Sequence, residues 1–179
     1  NIETFEGSSG DPWISTLDRG NYAAGLMMAR AAFPELRKEF DAYLGEMKWP
    51  MLYDKARGLF HGGVKMTTGT PHASWVLDAM ATDARLVNFL GVGWGVADAG
   101  LWTRLKREST SNYGLRYMKP DWEGGGLFMQ FFSGIFLEER YTEFGESVAN
   151  FAYAQILHGK RLGLPVWGWS ACESPKEGY

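Results

Sequence analysis

Apolar residues recur along most of the chain with a helical period, and the breaks in that period set out its elements. Residues 17–32 carry Tyr22, Leu26 and Ala29 at three-to-four spacing, which predicts a first helix starting near Leu17. Ahead of it, residues 1–16 are polar and turn-rich and read as an irregular lead-in. Pro34 suits the first turn of a second helix, where its missing N–H would have had no helical partner. There Leu36, Phe40, Tyr43, Leu44 and Met47 form one apolar stripe opposite Arg37, Lys38, Glu39 and Asp41, until Pro50 ends the pattern.

Residues 51–69 have no helical period, and 59–64 read as a short hairpin or folded loop. Thr70-Pro71 supplies a cap and a first-turn proline for a third helix to about Leu90, with Val76, Ala79, Met80, Asp83, Leu86, Val87 and Leu90 on one face. Gly91 to Gly95 interrupts the chain, a shorter helix covers residues 98–107, and residues 108–126 form a long loop of the kind that often carries function. A fifth helix holds Leu127, Phe128, Phe131, Phe132, Ile135 and Phe136. A sixth, capped by Thr142, holds Phe144, Val148, Phe151, Ala152, Gln155 and Ile156. Six helices without a convincing set of alternating strands predict an all-α fold of antiparallel helical hairpins, with glycine- and aromatic-rich loops at one end.

Length and composition narrow the chemistry. The 179 residues fit one domain, and the charged fraction of 22% with 45% hydrophobic residues is ordinary globular usage. No apolar run approaches the ~20 residues of a membrane-spanning helix. Net charge is −3 and no basic stripe occurs, which argues against nucleic acid as a partner. The single cysteine, Cys172, rules out an internal disulfide. The unusual features are 23 glycines and a set of 8 Trp, 8 Tyr and 11 Phe, a combination suited to flat, partly apolar ligands such as sugar rings. The sequence begins at Asn1 without Met or a signal peptide and stops at Tyr179 after the loop-like residues 174–178, so a fragment of a longer chain is expected. Bare helix faces on such a fragment predict self-association or binding to the remainder of its parent protein.

Most reactive motifs are missing or out of context. Gly91-Val92-Gly93-Trp94-Gly95 follows a predicted helix rather than a strand, so it is no dinucleotide loop, and Gly124-Gly125-Gly126 lacks the Lys-Ser/Thr of a P-loop. His61, His72 and His158 stand apart without a helical ligand pair, so neither a metal nor a cofactor is expected. Two loops, Asp121-Trp122-Glu123-Gly124-Gly125-Gly126 and Trp167-Gly168-Trp169-Ser170-Ala171-Cys172-Glu173, place an acid near indole rings where the backbone bends easily. Glycoside cleavage needs such a pair: a protonated acid at the leaving oxygen and a carboxylate that activates water or attacks the anomeric carbon. A neighbouring Trp raises an acid's pKa by desolvation and offers a sugar-stacking face. Solvated loop acids would carry the same sequence, as would a helix-dipole role for Asp18 and an ion pair within Asp83-Ala84-Arg85.

Four ordered stretches resemble bacterial glucoamylase-like proteins, a group that includes β-1,2-glucan-degrading enzymes and the middle domain of cyclic β-1,2-glucan synthases. They are Ser15-Thr16-Leu17-Asp18-Arg19-Gly20-Asn21-Tyr22-Ala23-Ala24-Gly25-Leu26, Leu52-Tyr53-Asp54-Lys55-Ala56-Arg57-Gly58-Leu59-Phe60, Thr82-Asp83-Ala84-Arg85-Leu86 and Trp167-Gly168-Trp169-Ser170-Ala171-Cys172-Glu173-Ser174-Pro175. The resemblance spans most of residues 17–179 and implies part of an (α/α)6 toroid, a glycoside hydrolase-like activity on a β-glucan, and a periplasmic or secreted location. Taken with the two acid-bearing loops, it leads to Glu123 as a candidate general acid and Glu173 as its partner carboxylate, with Asp18, Arg85, Trp122, Trp167 and Trp169 at sugar subsites. Related sequences with a Trp-Gly-Gly version of the second-last loop carry Glu directly after the Phe, where this chain has Met129. Either Glu123 replaces that acid, or the site is altered and the domain binds an oligo- or polysaccharide without turnover.

Overall fold

The computed structural model describes residues 13–121 and 126–170. Its chain divides into two compact units, with described residues 13–78 and 86–104 in the first and 79–85, 105–121 and 126–170 in the second. The fold class is mixed: helices are interspersed with three small antiparallel sheets among the described residues, which corrects the all-α expectation. The correction comes from the glycine- and aromatic-rich connections, which satisfy their backbone groups by pairing with one another.

In the first unit, β1 (Trp13–Ser15) pairs with β4 (Gly63–Lys65), and α1 (Thr16–Ala32) follows directly. Ser15 caps that helix by accepting a bond from the Asp18 amide at 3.2 Å. Pro34–Leu36 makes a 3-10 turn into α2 (Arg37–Gly45), so proline stands where the second helical stretch was expected to begin. β2 (Tyr53–Asp54) and β3 (Leu59–Phe60) form a hairpin whose Phe60 is fully buried with Leu52 and Val64. Gly20 and Gly91 admit the side chains of Val87 and Phe60 into space that a Cβ would occupy.

The expected third helix begins only at Ala84, giving α3 (Ala84–Gly93). Residues 70–83 instead pair within each unit: His61 bridges Val76 and Val64 bridges Pro71 in the first, and Ala79 bridges Lys106 in the second. Leu77 donates its amide to the Phe60 carbonyl at 2.8 Å. The three-to-four spacing in this stretch matches burial of an irregular chain against its neighbours as well as it matches a helix face. The next helix is a single turn, α4 (Leu101–Arg104).

In the second unit, the expected loop 108–126 contains the hairpin β5 (Ser109–Asn112) and β6 (Leu115–Met118), turned by Tyr113 and Gly114 at φ 56° and 77°. α5 (Gly126–Phe131) runs into a 3-10 turn at Phe132–Ile135, and α6 (Glu143–Arg161) is capped by Thr142 as the sequence predicts. The hairpin lies along α6: Ser147 accepts the Met118 amide at 2.7 Å, Asn150 donates to the Arg116 carbonyl, and Tyr117 packs on Phe151 at 5.0 Å.

Candidate functional site

The two glycine- and aromatic-rich loops meet in the second unit. Gly126 and Ser170 form an antiparallel bridge, the Leu127 amide donates to the Trp169 carbonyl at 3.0 Å, and the Phe128 amide donates to Ser170 Oγ at 2.9 Å. Gly126 is required there twice over. Its φ is +49°, and a Cβ would collide with the Trp169 carbonyl. Trp122, Glu123 and Glu173 lie outside the described residues.

Trp169 is held from a second side. Its amide donates to Gln155 Oε1 at 2.6 Å, and Gln155 Nε2 returns a bond to its carbonyl at 3.2 Å. This pairing fixes the backbone to α6 while leaving the residue 40% exposed, so the indole is positioned yet open to a ligand. Gly159 lets the loop approach α6, because the Val166 carbonyl and the Trp169 ring lie 3.2 and 3.5 Å from where its Cβ would stand. Trp167 is also exposed, and Gly168 between them takes φ +104°.

Beside Trp169 is a hollow of about 480 Å3 with Tyr117, Phe151 and Ala154 buried at its base. The His158 ring meets the Trp169 indole edge to face at 5.3 Å, and its Nδ1 is hydrogen bonded to the Tyr113 hydroxyl at 2.7 Å. In the sequence His158 stands apart from the other histidines and nothing marks Tyr113 as its partner. The available signal was the spacing of Phe151, Ala154, Gln155 and His158, which puts a polar end on the same face as the apolar stripe.

Arg85, expected at a sugar subsite, is fully buried and committed within the protein. It forms a two-pronged pair with Glu139 at 2.7 and 3.1 Å and donates to the carbonyls of Met80, Thr82 and Gln130. Its guanidinium also lies 3.5 Å from the centre of the Phe144 ring. Burial pushes its pKa below the ordinary arginine value, opposed by Glu139 and by the charge of Asp83. The pairing forecast for the Asp83-Ala84-Arg85 cluster thus goes mainly to Glu139, 54 residues along the chain.

Asp18 belongs to the first unit and is exposed in the first turn of α1. It lines a hollow of about 510 Å3 with Trp13, Arg19, Tyr22, Tyr43 and Glu46. Burial alone lowers the pKa of Arg19 there. Tyr22 and Tyr43 are more than half exposed, so aromatic faces and an acid share this hollow too.

No protein-family model matches the chain, and no curated protein is significantly similar to it. Among the described residues, no helix is long and apolar enough to cross a membrane.

Proposed function

We propose that the chain is a glycoside hydrolase-like domain acting on a β-glucan, with Glu123 as general acid and Glu173 as its partner carboxylate. The observation that carries this reading is the Gly126–Ser170 bridge. Glu123 and Glu173 each stand three residues from it in sequence, in the two loops that the bridge joins. Trp169, fixed by Gln155 and Leu127 with its ring open, supplies a sugar-stacking face extended by the proposed contacts Trp122 and Trp167, and Asp18 is a proposed saccharide contact in the first unit's own hollow. Arg85 acts in this reading as a positioning residue, since its guanidinium is spent on Glu139 and backbone carbonyls.

In the reaction, Glu123 protonates the leaving oxygen while Glu173 activates water or attacks the anomeric carbon, the choice being set by the carboxyl separation. Glu123→Gln and Glu173→Gln should each lower glucan turnover by at least about a hundredfold, the lower range for losing a positioned proton-transfer group. Turnover near that of the parent protein in either variant removes that residue from the mechanism. The second reading, a saccharide-binding domain without turnover, is favoured by Met129: it is buried at 8% exposure, and relatives suggested by the sequence resemblance carry an acid there. A panel of glucans separates the two, since binding without product release supports this second reading. A further proposed partner is a second copy of the chain, supported by the exposed apolar side chains Met28, Phe33, Leu36 and Tyr43.

A further inference from the structure

The hollow beside Trp169 has a chemical bias that a neutral glucan does not use. Among the described residues that line it none is Asp or Glu, while His158 and Arg161 both line it from the last turn of α6. The Arg161 guanidinium thus gives the hollow a cation among its described lining residues. Its base is aromatic and apolar, and its rim carries the part-exposed rings of Tyr113 and Trp169.

Tyr113 is the one non-glycine residue with positive φ among the described residues. Two-residue hairpin turns of this kind favour Asn-Gly, and a bulky residue in the first position is strained. The strained position sets the Tyr113 hydroxyl 2.7 Å from His158 Nδ1 and its ring on the rim of the hollow. Local strain retained where a side chain completes a concave surface is an indication of a binding role.

We infer that this hollow is a subsite for a sugar unit bearing a carboxylate, a uronate, whose ring packs against Trp169 and Tyr113 and whose carboxylate is bound by Arg161. The planar guanidinium fork matches a carboxylate in two-pronged geometry, and the exposed indole and phenol rings match the apolar face of a pyranose. This inference rests on the reading of Trp169 as a saccharide contact and adds an acidic unit carried by the saccharide beside its neutral glucose units.

The test uses the full chain and three probes at one ionic strength: a glucuronic acid trisaccharide, a neutral glucose trisaccharide of the same linkage, and acetate. Binding is read by titration calorimetry and by NMR shifts of the Trp169 indole N–H and the His158 ring. The uronate should bind roughly tenfold more tightly than the neutral sugar, the scale of one charge-assisted contact, and should move both signals, while acetate moves neither. Arg161→Gln, at an exposed position, should abolish that preference. Tyr113→Gly should relieve the turn, keep the protein folded and weaken uronate binding. Equal affinity for both sugars, a preference that survives Arg161→Gln, or acetate binding as tightly as the uronate overturns the inference. Glucan turnover without uronate binding overturns this inference alone, and uronate binding without glucan turnover overturns only the hydrolase reading.

Discussion

The Arg30–Asp41 pair between α1 and α2 and the Arg85–Glu139 pair of the second unit are almost equal in length, 2.6 and 2.7 Å. Their surroundings differ. The side chains of the first pair are 32% and 48% exposed, and those of the second are 0% and 16% exposed. The same contrast holds for the helices beside them. α2 has a clean apolar stripe in sequence and no buried residue, whereas α6 buries Phe144, Phe151, Ala154 and Gln155. Periodicity therefore reports that a segment can be an amphipathic helix, and only the packing decides how much stability its stripe and its ion pairs contribute.

The contrast is tested most severely at the ion pairs. Glu139→Gln leaves the Arg85 charge buried without its anion and should destabilise the second unit by about 3–5 kcal/mol, measured by urea unfolding. Asp41→Asn, which removes an exposed partner, should cost less than about 1 kcal/mol and should lose even that in high salt. Equal effects of the two substitutions would show that burial does not set the difference.

The apolar stripes provide the next comparison. Phe151 is 9% exposed and packs against Tyr117, with Ala154 in the same cluster. Phe151→Ala should destabilise by about 3 kcal/mol, the lower end for a buried Phe because this ring is not wholly enclosed. A loss below about 1 kcal/mol would mean that the hairpin and α6 hold together mainly through the polar bonds of Ser147 and Asn150.

These same elements show how far the sequence could be read. α6 was legible because cap, period and basic last turn agree, and α1 because Ser15 and Asp18 mark its start. β5 and β6 were not, since Ser109, Thr110, Ser111 and Asn112 show no apolar alternation and the turn is Tyr-Gly rather than a common hairpin pair. Residues 76–83 read as a helix because the spacing of Val76, Ala79, Met80 and Asp83 does not distinguish a helical face from an irregular chain buried against its neighbours. At the candidate site, the indole of Trp169 and the need for glycine near 126 were visible in composition. The contacts of Arg85 with Glu139 and of Tyr113 with His158 span 54 and 45 residues, and no local pattern encodes them.

A smaller effect is expected at the helix starts. The Thr142 hydroxyl accepts the Gly145 amide at 3.2 Å and its own O–H donates to the Glu139 carbonyl at 2.7 Å, so Thr142→Ala should cost about 1 kcal/mol. Thr142→Ser, which keeps both bonds, should restore most of that stability. α2 has no side-chain cap, so the corresponding Leu36→Ala should leave its stability within about 0.5 kcal/mol of the parent.

The smallest change in stability should come from the exposed stripe of α2, and it separates folding from association. Leu36 and Tyr43 are 45% and 55% exposed, so most of their apolar area is in water in the folded chain as well as in the unfolded one. Replacing both with Ser therefore removes little burial and should change unfolding free energy by no more than about 0.5 kcal/mol. Association depends instead on the exposed area itself, which is released from water only when a second surface covers it. In sedimentation at high concentration the parent chain should self-associate and the double variant should run as a monomer. A parent chain that stays monomeric removes the second copy as a partner, and a double variant that unfolds readily would show that α2 contributes to its own unit's stability through these residues after all.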